Sequence, residues 1–231
     1  MRVEWTVLIS ALAMVSTLGM ARPASALTTI TLDGASNGFV IGMAGGTARI
    51  CWRDSGGNEQ LQSLRTSGTG PLNDDVVIAA SGGNDGGYLV QSAGHTPHPS
   101  HDCGITSWDP LQYDGHFLDI HGGDGLDVLQ GAVGAGDTRL SGGNGNDILY
   151  QYSSIGHLYG DADNDELVSD ASSPGMGSSQ VLSGSTGADC LWDVNGTSTS
   201  CDCGGQVVDN RHQSHSCSNC DATPVLCCGL C

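Results

Sequence analysis

Residues 122–129 read Gly-Gly-Asp-Gly-Leu-Asp-Val-Leu, and residues 142–149 read Gly-Gly-Asn-Gly-Asn-Asp-Ile-Leu. Both stretches place three glycines, an aspartate and a leucine at the same positions. Residues 160–167 keep the first glycine, the aspartate and the leucine of this pattern, and residues 184–191 keep two glycines, the aspartate and the leucine. With 36 glycines in 231 residues, random order would give only about 0.1 copies of the glycine–aspartate part. The repeat is therefore a signal of the fold.

The spacing of the four copies indicates how the chain is organised. They begin at residues 122, 142, 160 and 184, and one coil of a β-solenoid with two short strands and two turns needs about 20 residues. Each Asp-x-Leu end is typical of a short strand with the leucine facing the core. The runs at 138–140, 157–159 and 180–182 are candidates for the opposite strands.

Stacked repeats would place their aspartates in one column. Neighbouring strands lie about 4.8 Å apart, and two carboxylates at that distance repel by roughly 3 kcal/mol at an effective dielectric constant near 20. Cations between the loops would relieve this repulsion, and carboxylate and carbonyl oxygens at flexible spacing suit Ca²⁺. Four loops would hold up to three sites. The candidate calcium ligands are Gly123, Asp124, Gly125, Asp127, Gly143, Asn144, Gly145, Asp147, Asp161, Asp163, Asp165 and Asp189.

Over residues 121–192 the chain resembles the RTX (haemolysin-type) calcium-binding repeat of bacterial secreted proteins. The resemblance implies a right-handed parallel β-roll, or β-helix, that folds when calcium binds. The chain departs from that family because the half-turns at 131–141 and 151–159 lack the motif, which indicates one ladder of ions and not two. The alternative is a solenoid whose Gly, Asn and Asp turns stack without metal.

The first 26 residues have the features of a secretory signal peptide. Val7–Met20 is mostly apolar, and Ala24-Ser25-Ala26 has the small-x-small form of a cleavage site. The apolar run is too short to span a membrane as a helix, so no membrane span is expected. We expect a secreted, extracellular protein, with the periplasm or the outer cell surface as further locations.

The charge balance limits the partners of the chain. It has seven basic residues against 25 acidic ones, a formal charge of −18 and no lysine. Such a chain is not expected to bind nucleic acid or anionic membranes by electrostatic attraction. Bound divalent cations would relieve its self-repulsion, although an acidic surface also favours solubility.

Residues 27–92 are interpreted as earlier, degenerate coils, so that the solenoid would extend from 27 to 194. Turn residues separate short apolar runs, and the segments 70–77 and 82–89 each keep part of the repeat. A metal site through Asp74, Asp75 or Asp85 is one reading of these segments, and an ion-free turn is the favoured one. The predicted strands in this part of the chain and before the first repeat are Thr28–Leu32, Phe39–Gly42, Ala48–Trp52, Val76–Ala79, Tyr88–Gln91 and Phe117–Ile120.

Residues 93–112 interrupt the pattern as a His-rich insertion. His95, His98, His101 and Cys103 could bind Zn²⁺ or Cu²⁺. Two prolines hold the loop extended, however, and Cys103 has a disulfide candidate in Cys51. An exposed insertion tied back to the fold is the favoured interpretation.

Residues 195–231 are predicted to form a Cys-rich cap. Seven of the ten cysteines lie in the last 31 residues. A zinc site on Cys217, Cys220, His212 and His215 is one reading, but an exported chain with an even number of cysteines favours disulfides. A stapled cap would also cover the open edge of the last coil.

No catalytic motif is found. The chain has no H-E-x-x-H, no G-x-S-x-G, no P-loop and no dinucleotide fingerprint, and acidic pairs such as Asp114 and Asp119 do not stand out among so many acids. The resulting hypothesis is a secreted protein, stabilised by Ca²⁺, with a structural, surface or matrix-interaction role. The alternatives are a β-helical carbohydrate-active enzyme (a lyase or epimerase) and an RTX-type adhesin or toxin fragment.

Overall fold

The computed structural model describes ten stretches of the chain: residues 27–33, 38–65, 68–72, 75–90, 103–112, 117–131, 137–152, 155–169, 179–193 and 199–202. All regular secondary structure within them is β-strand, and no described residue is helical. The predicted signal peptide, the three histidines of the insertion and nearly all of the predicted Cys-rich cap lie outside these stretches.

The strands form two sheets. The first sheet has seven strands, all parallel, in the order β1 (Leu27–Thr31), β5 (Asp75–Ala79), β7 (Phe117–Asp124), β9 (Asp137–Asn144), β11 (Ile155–Ala162), β13 (Ser179–Ser183) and β15 (Thr199–Asp202). The second sheet has eight strands in the order β14 (Cys190–Asp193), β12 (Glu166–Ser169), β10 (Ile148–Gln151), β8 (Val128–Gln130), β6 (Gly86–Leu89), β2 (Gly38–Ala44), β3 (Thr47–Arg53) and β4 (Glu59–Ser63).

The hydrophobic core is built from inward-facing side chains, one or two from each of β7 to β14 and three, Phe39, Ile41 and Met43, from β2. Burial alternates along the strands, as in Phe117–Asp124, where Leu118 and Ile120 are buried between half-exposed neighbours. The leucine of each repeat packs into the same cluster. Burying a leucine fully contributes about 1.5–3 kcal/mol. The core leucines of the repeat region are Leu129, Leu140, Leu149, Leu158, Leu167, Leu182 and Leu191.

The prediction of a right-handed parallel β-roll or β-helix solenoid over residues 27–194 is wrong. The described strands form one parallel and one mixed sheet, and not the uniform closed solenoid that the repeat spacing predicts. In the second sheet, β3 pairs antiparallel with β2 on one side and with β4 on the other. The physical reason is the turn at Gly45-Gly46, whose φ angles of 57° and 73° are those of the two-residue turn that favours a hairpin. Residues 38–63 are therefore an antiparallel meander and not degenerate coils.

The structure joins Cys51 and Cys103, the candidate pair, in a disulfide. It ties residues 103–112, the described part of the insertion, to β3. This segment is not simply exposed, because Trp108 is fully buried in a second apolar cluster with Val40 and Val90. The backbone of Asp109 also pairs with that of Met43.

Candidate functional site

The four repeat loops, residues 122–127, 142–147, 160–165 and 184–189, lie side by side between the two sheets. Each connects a strand of the first sheet to the next strand of the second. The parallel register aligns equivalent positions of the loops, so that Gly123 pairs with Gly143, and Gly143 with Asp161. Positions 1 to 6 are counted below from the first residue of each loop.

The aspartates at position 6 form a continuous hydrogen-bonded column. The backbone N–H of each of the first three donates to Oδ1 of the aspartate in the following loop, at 2.8 Å from Asp127 to Asp147, 2.9 Å from Asp147 to Asp165 and 3.0 Å from Asp165 to Asp189. The carbonyls of the same three aspartates also accept a backbone N–H from the next strand of the second sheet. Both backbone groups of these three residues are therefore fixed by the stacking, together with the Oδ1 atoms that accept the bonds.

The other carboxylate oxygen has no partner. Oδ2 of Asp127, Asp147, Asp165 and Asp189 is buried without a hydrogen bond, and the four residues are at most 2% exposed. An unpaired buried polar group costs about 1–3 kcal/mol, and a buried charge costs more. Protons on the carboxylates or cations beside them would remove this cost.

The first glycine of each loop makes room for this oxygen. A Cβ added at Gly122, Gly142, Gly160 or Gly184 would lie only 2.1–2.2 Å from Oδ2 of the aspartate in the same loop. Any side chain here would displace the carboxylate. The first glycine of the motif is thus required by the aspartate five residues later.

Backbone carbonyls line the loops beside the column. The residues at positions 2 and 4 take positive φ angles in all four loops, and the loop at 160–165 does so with Asp161 and Asp163, at 76° and 77°. Between the first two loops, the carbonyl oxygens of Gly123 and Gly125 occupy the space that a Cβ of Gly143 or Gly145 would need. Positive φ suits glycine, and here it turns oxygen atoms toward the neighbouring loop.

Burial raises the pKa of each aspartate in the column. The pKa of Asp165 rises to about 8 and that of Asp147 to about 6. Desolvation is the main cause, the hydrogen bond from the preceding aspartate opposes it, and the neighbouring carboxylates add to it. The pKa values of Asp127 and Asp189 are raised for the same main reason.

The other predicted ligands lie at the rim of the loops. The side chains of Asp124, Asn144 and Asp163 are on exposed residues, and Asn144 Nδ2 donates to Asp124 Oδ1 at 2.7 Å. Asp161 is half-buried and accepts a hydrogen bond from Ser141 Oγ. The structure thus brings the position 6 aspartates together and leaves these side chains outside the column.

A fifth loop, residues 80–85, joins the column, two residues earlier than the predicted degenerate copy at 82–89. Gly82 pairs with Asp124, so position 1 is Ala80 and position 6 is Asp85. Gly82-Gly83 resembles the opening pair of the motif, which is why the sequence pattern predicts this copy two residues too late. The signal that obscured it is Gly87, which replaces the usual leucine: the ring of Phe39 fills the space, only 1.9 Å from where a Cβ of Gly87 would lie.

No group of three or more His, Cys, Asp or Glu side chains arranged around a metal position occurs in the described stretches. The ladder explains this, because each loop offers one buried carboxylate among backbone carbonyls. Any cation here would be held largely by oxygen atoms of the main chain.

No family model, no curated protein and no solved structure matches the chain. The ten described stretches contain no helix long and apolar enough to cross a membrane.

Proposed function

We propose that the chain is a calcium-binding protein whose fold is stabilised by Ca²⁺ held between successive loops of the aspartate column. The observation that carries the proposal is the set of four buried carboxylate oxygens without hydrogen-bond partners, stacked beside carbonyls that face the neighbouring loop. The resemblance of residues 121–192 to RTX repeats points to the same cation.

The residues present fit Ca²⁺ by their donor atoms. The carboxylates of the motif aspartates and the carbonyls at positions 2 and 4 are all hard oxygen ligands. Ca²⁺ accepts six to eight of these in flexible geometry, whereas Mg²⁺ demands a near-ideal octahedron. A bound cation supplies the positive charge that the buried column lacks.

The role that follows is structural. An ion that binds only the folded chain stabilises the folded state by mass action. Calcium would therefore act as a ligand that promotes folding. Extracellular modules bind Ca²⁺ with Kd values on the order of 10⁻⁴–10⁻³ M, so folding would follow exposure to external calcium. We propose a secreted protein with a structural, surface or matrix-interaction role.

The proposal predicts that calcium controls stability. In calcium-free buffer with EDTA, we expect weaker β-sheet circular dichroism and a lower Tm, and added Ca²⁺ should restore both. A free Ca²⁺ concentration of 100 times the Kd stabilises the fold by about 2.7 kcal/mol for a single site. A change of about 1 kcal/mol in the free energy of unfolding shifts the Tm of a domain this size by roughly 2–4 °C. The same concentration of Mg²⁺ is the control, and it should restore much less of the circular dichroism signal and of the Tm. A Tm that is the same in EDTA and in Ca²⁺ would refute the proposal.

A further inference from the structure

The outer face of the first sheet carries a cluster of charged and aromatic side chains outside the aspartate column. Along β7, β9 and β11, buried residues that face the core alternate with partly exposed residues that face outward. The parallel register aligns the outward positions in two rows, one with Asp119, Arg139 and His157 and the next with His121, Ser141 and Tyr159. Six polar side chains of three adjacent strands therefore share one surface.

The sheet itself does not require this cluster. The flanking strands fill the same two rows with small or aliphatic side chains, namely Thr29, Val77, Val181, Thr31, Ala79 and Ser183. The ion pairs within the cluster are 3.3–3.8 Å long and partly exposed, and such pairs contribute little to stability. Neither the packing nor the stability of the sheet accounts for these residues.

The cluster also concentrates basic side chains in a strongly acidic chain. The whole sequence has seven basic residues against 25 acidic ones, yet Arg139 and two histidines meet here. Nε2 of His121 lies 3.3 Å from Oδ1 of Asp119. Asp137 lies 3.5 Å from Arg139 Nη2 through Oδ2 and 3.8 Å from His157 Nε2 through Oδ1. The two aspartates thus hold the three basic groups in place.

Arg139, at the centre of the cluster, keeps most of its hydrogen-bonding capacity. Its guanidinium lies 5.0 Å from the centroid of the Phe117 ring, a cation–π contact that restricts its orientation. A guanidinium has five N–H donors, and here one of them makes a long bond of 3.5 Å to Asp137. The side chain is 40% exposed. A held and accessible fork of this kind suits the two oxygens of a carboxylate.

Aromatic rings lie beside this fork. The rings of His157 and Tyr159 are parallel to within 7°, and the Tyr159 hydroxyl lies 3.4 Å from His157 Nδ1. An aromatic ring packs against the C–H face of a sugar, while hydroxyl, imidazole and carboxylate groups exchange hydrogen bonds with its hydroxyls. Three strands span about 10 Å and two successive rows about 7 Å, which is the area of one or two sugar rings.

We propose that the outer face of β7, β9 and β11 binds an acidic saccharide, with Arg139 holding the carboxylate of a uronate residue and Tyr159 contacting its ring. His121 and Asp119 lie within reach of the sugar hydroxyls. Because the chain carries a net charge of −18, a short or sparsely charged saccharide fits better than a dense polyanion. The site gives the proposed surface or matrix role a class of partner, and it does not use the calcium ligands.

The test is isothermal titration calorimetry on the full chain in saturating Ca²⁺. The probes are the trisaccharides of galacturonate, glucuronate and mannuronate, each beside the uncharged trisaccharide in which CH₂OH replaces the carboxylate. We expect at least one uronate to bind. Its uncharged counterpart should bind at least about tenfold more weakly, the usual effect of losing a hydrogen bond to a charged group.

Three variants locate the binding. Arg139→Gln should weaken uronate binding at least about tenfold, and Arg139→Lys, which keeps the charge without the planar fork, should be intermediate. Arg53→Gln is the matched control, because Arg53 is 41% exposed and pairs with Glu59 at 3.6 Å on the second sheet. It should bind as wild type does. Equal Tm values of the four proteins in Ca²⁺ show that a loss of binding is not a loss of fold.

The proposal is overturned if none of the three uronates binds the folded wild type, or if Arg139→Gln binds as tightly as wild type. It is also overturned if an acetylated triglutamate peptide binds as tightly as the uronates, since the site would then recognise any carboxylate. Calcium binding is measured separately by equilibrium dialysis. A chain that binds Ca²⁺ but no uronate therefore leaves the proposed function intact.

Discussion

Replacing Gly142 with alanine is expected to destabilise the protein by about 3–5 kcal/mol, the range reserved for severe steric or buried-charge defects. The added Cβ would lie 2.2 Å from Oδ2 of Asp147 and 2.8 Å from the Cβ of Asp147. The backbone of β9 and the carboxylate are both fixed by the stacking of the loops, so neither can move away cheaply. The carboxylate would be forced out of the column and lost as a calcium ligand.

Gly86→Ala is the matched control for this substitution. Gly86 is exposed in β6, a Cβ there would meet no atom within 4 Å, and its φ is not positive. The change should alter stability by less than about 1 kcal/mol. Denaturant unfolding of both variants in saturating Ca²⁺ measures the difference. Equal midpoints for the two variants would show that the first glycine does not serve the carboxylate.

The calcium-free protein is expected to lose stability as pH rises from about 4 to 8. In the folded chain the pKa of Asp147 is about 6 and that of Asp165 about 8, against 3.8 for a free aspartate. The folded state therefore binds more protons than the unfolded state in this window, and the free energy of unfolding falls with increasing pH. Since one pKa unit corresponds to about 1.4 kcal/mol, the loss should reach a few kcal/mol, or roughly 5–10 °C in Tm.

Calcium should remove most of this slope, because a bound cation favours the ionised column. Thermal melts in metal-depleted buffer across pH 4–8, with and without Ca²⁺, measure both curves. Asp165→Asn cannot titrate at that position and should give a flatter calcium-free curve. A calcium-free Tm that rises toward pH 8, or an Asp165→Asn curve parallel to wild type, would contradict the assignment of a strained, uncompensated column.

The sequence repeat correctly predicts which residues meet in the column. The steps of 18–24 residues, the leucine two places after each aspartate and the β-rich composition are enough to align Asp127, Asp147, Asp165 and Asp189. What the sequence could not give is the use of each carboxylate. In each motif aspartate, Oδ1 accepts a backbone N–H and Oδ2 is buried without a hydrogen-bond partner. This division between the two oxygens depends on the register of the strands.

The differences between the predicted and the observed fold have physical causes. Gly45-Gly46 forms a hairpin turn between two apolar runs, so an antiparallel meander stands where the repeat spacing predicts a uniform solenoid. The alignment of residues 82–89 with the repeat is wrong by two positions, because Gly82-Gly83 resembles the opening pair of the motif and Gly87 stands at the true leucine position, where the ring of Phe39 fills the space. Both cases involve contacts between segments that a local pattern does not contain.

Equilibrium dialysis of Ca²⁺ against folded wild type and Asp147→Asn is the most direct test of the account, because Asp147 borders two of the proposed inter-loop spaces. Asparagine retains the oxygen that accepts the Asp127 N–H, so the stacking can persist while the charge is removed. We expect saturable binding of several ions to wild type and a loss of binding at both neighbouring spaces in the variant. A folded wild-type chain that binds no Ca²⁺, or a variant that binds as much as wild type, would contradict the central claim.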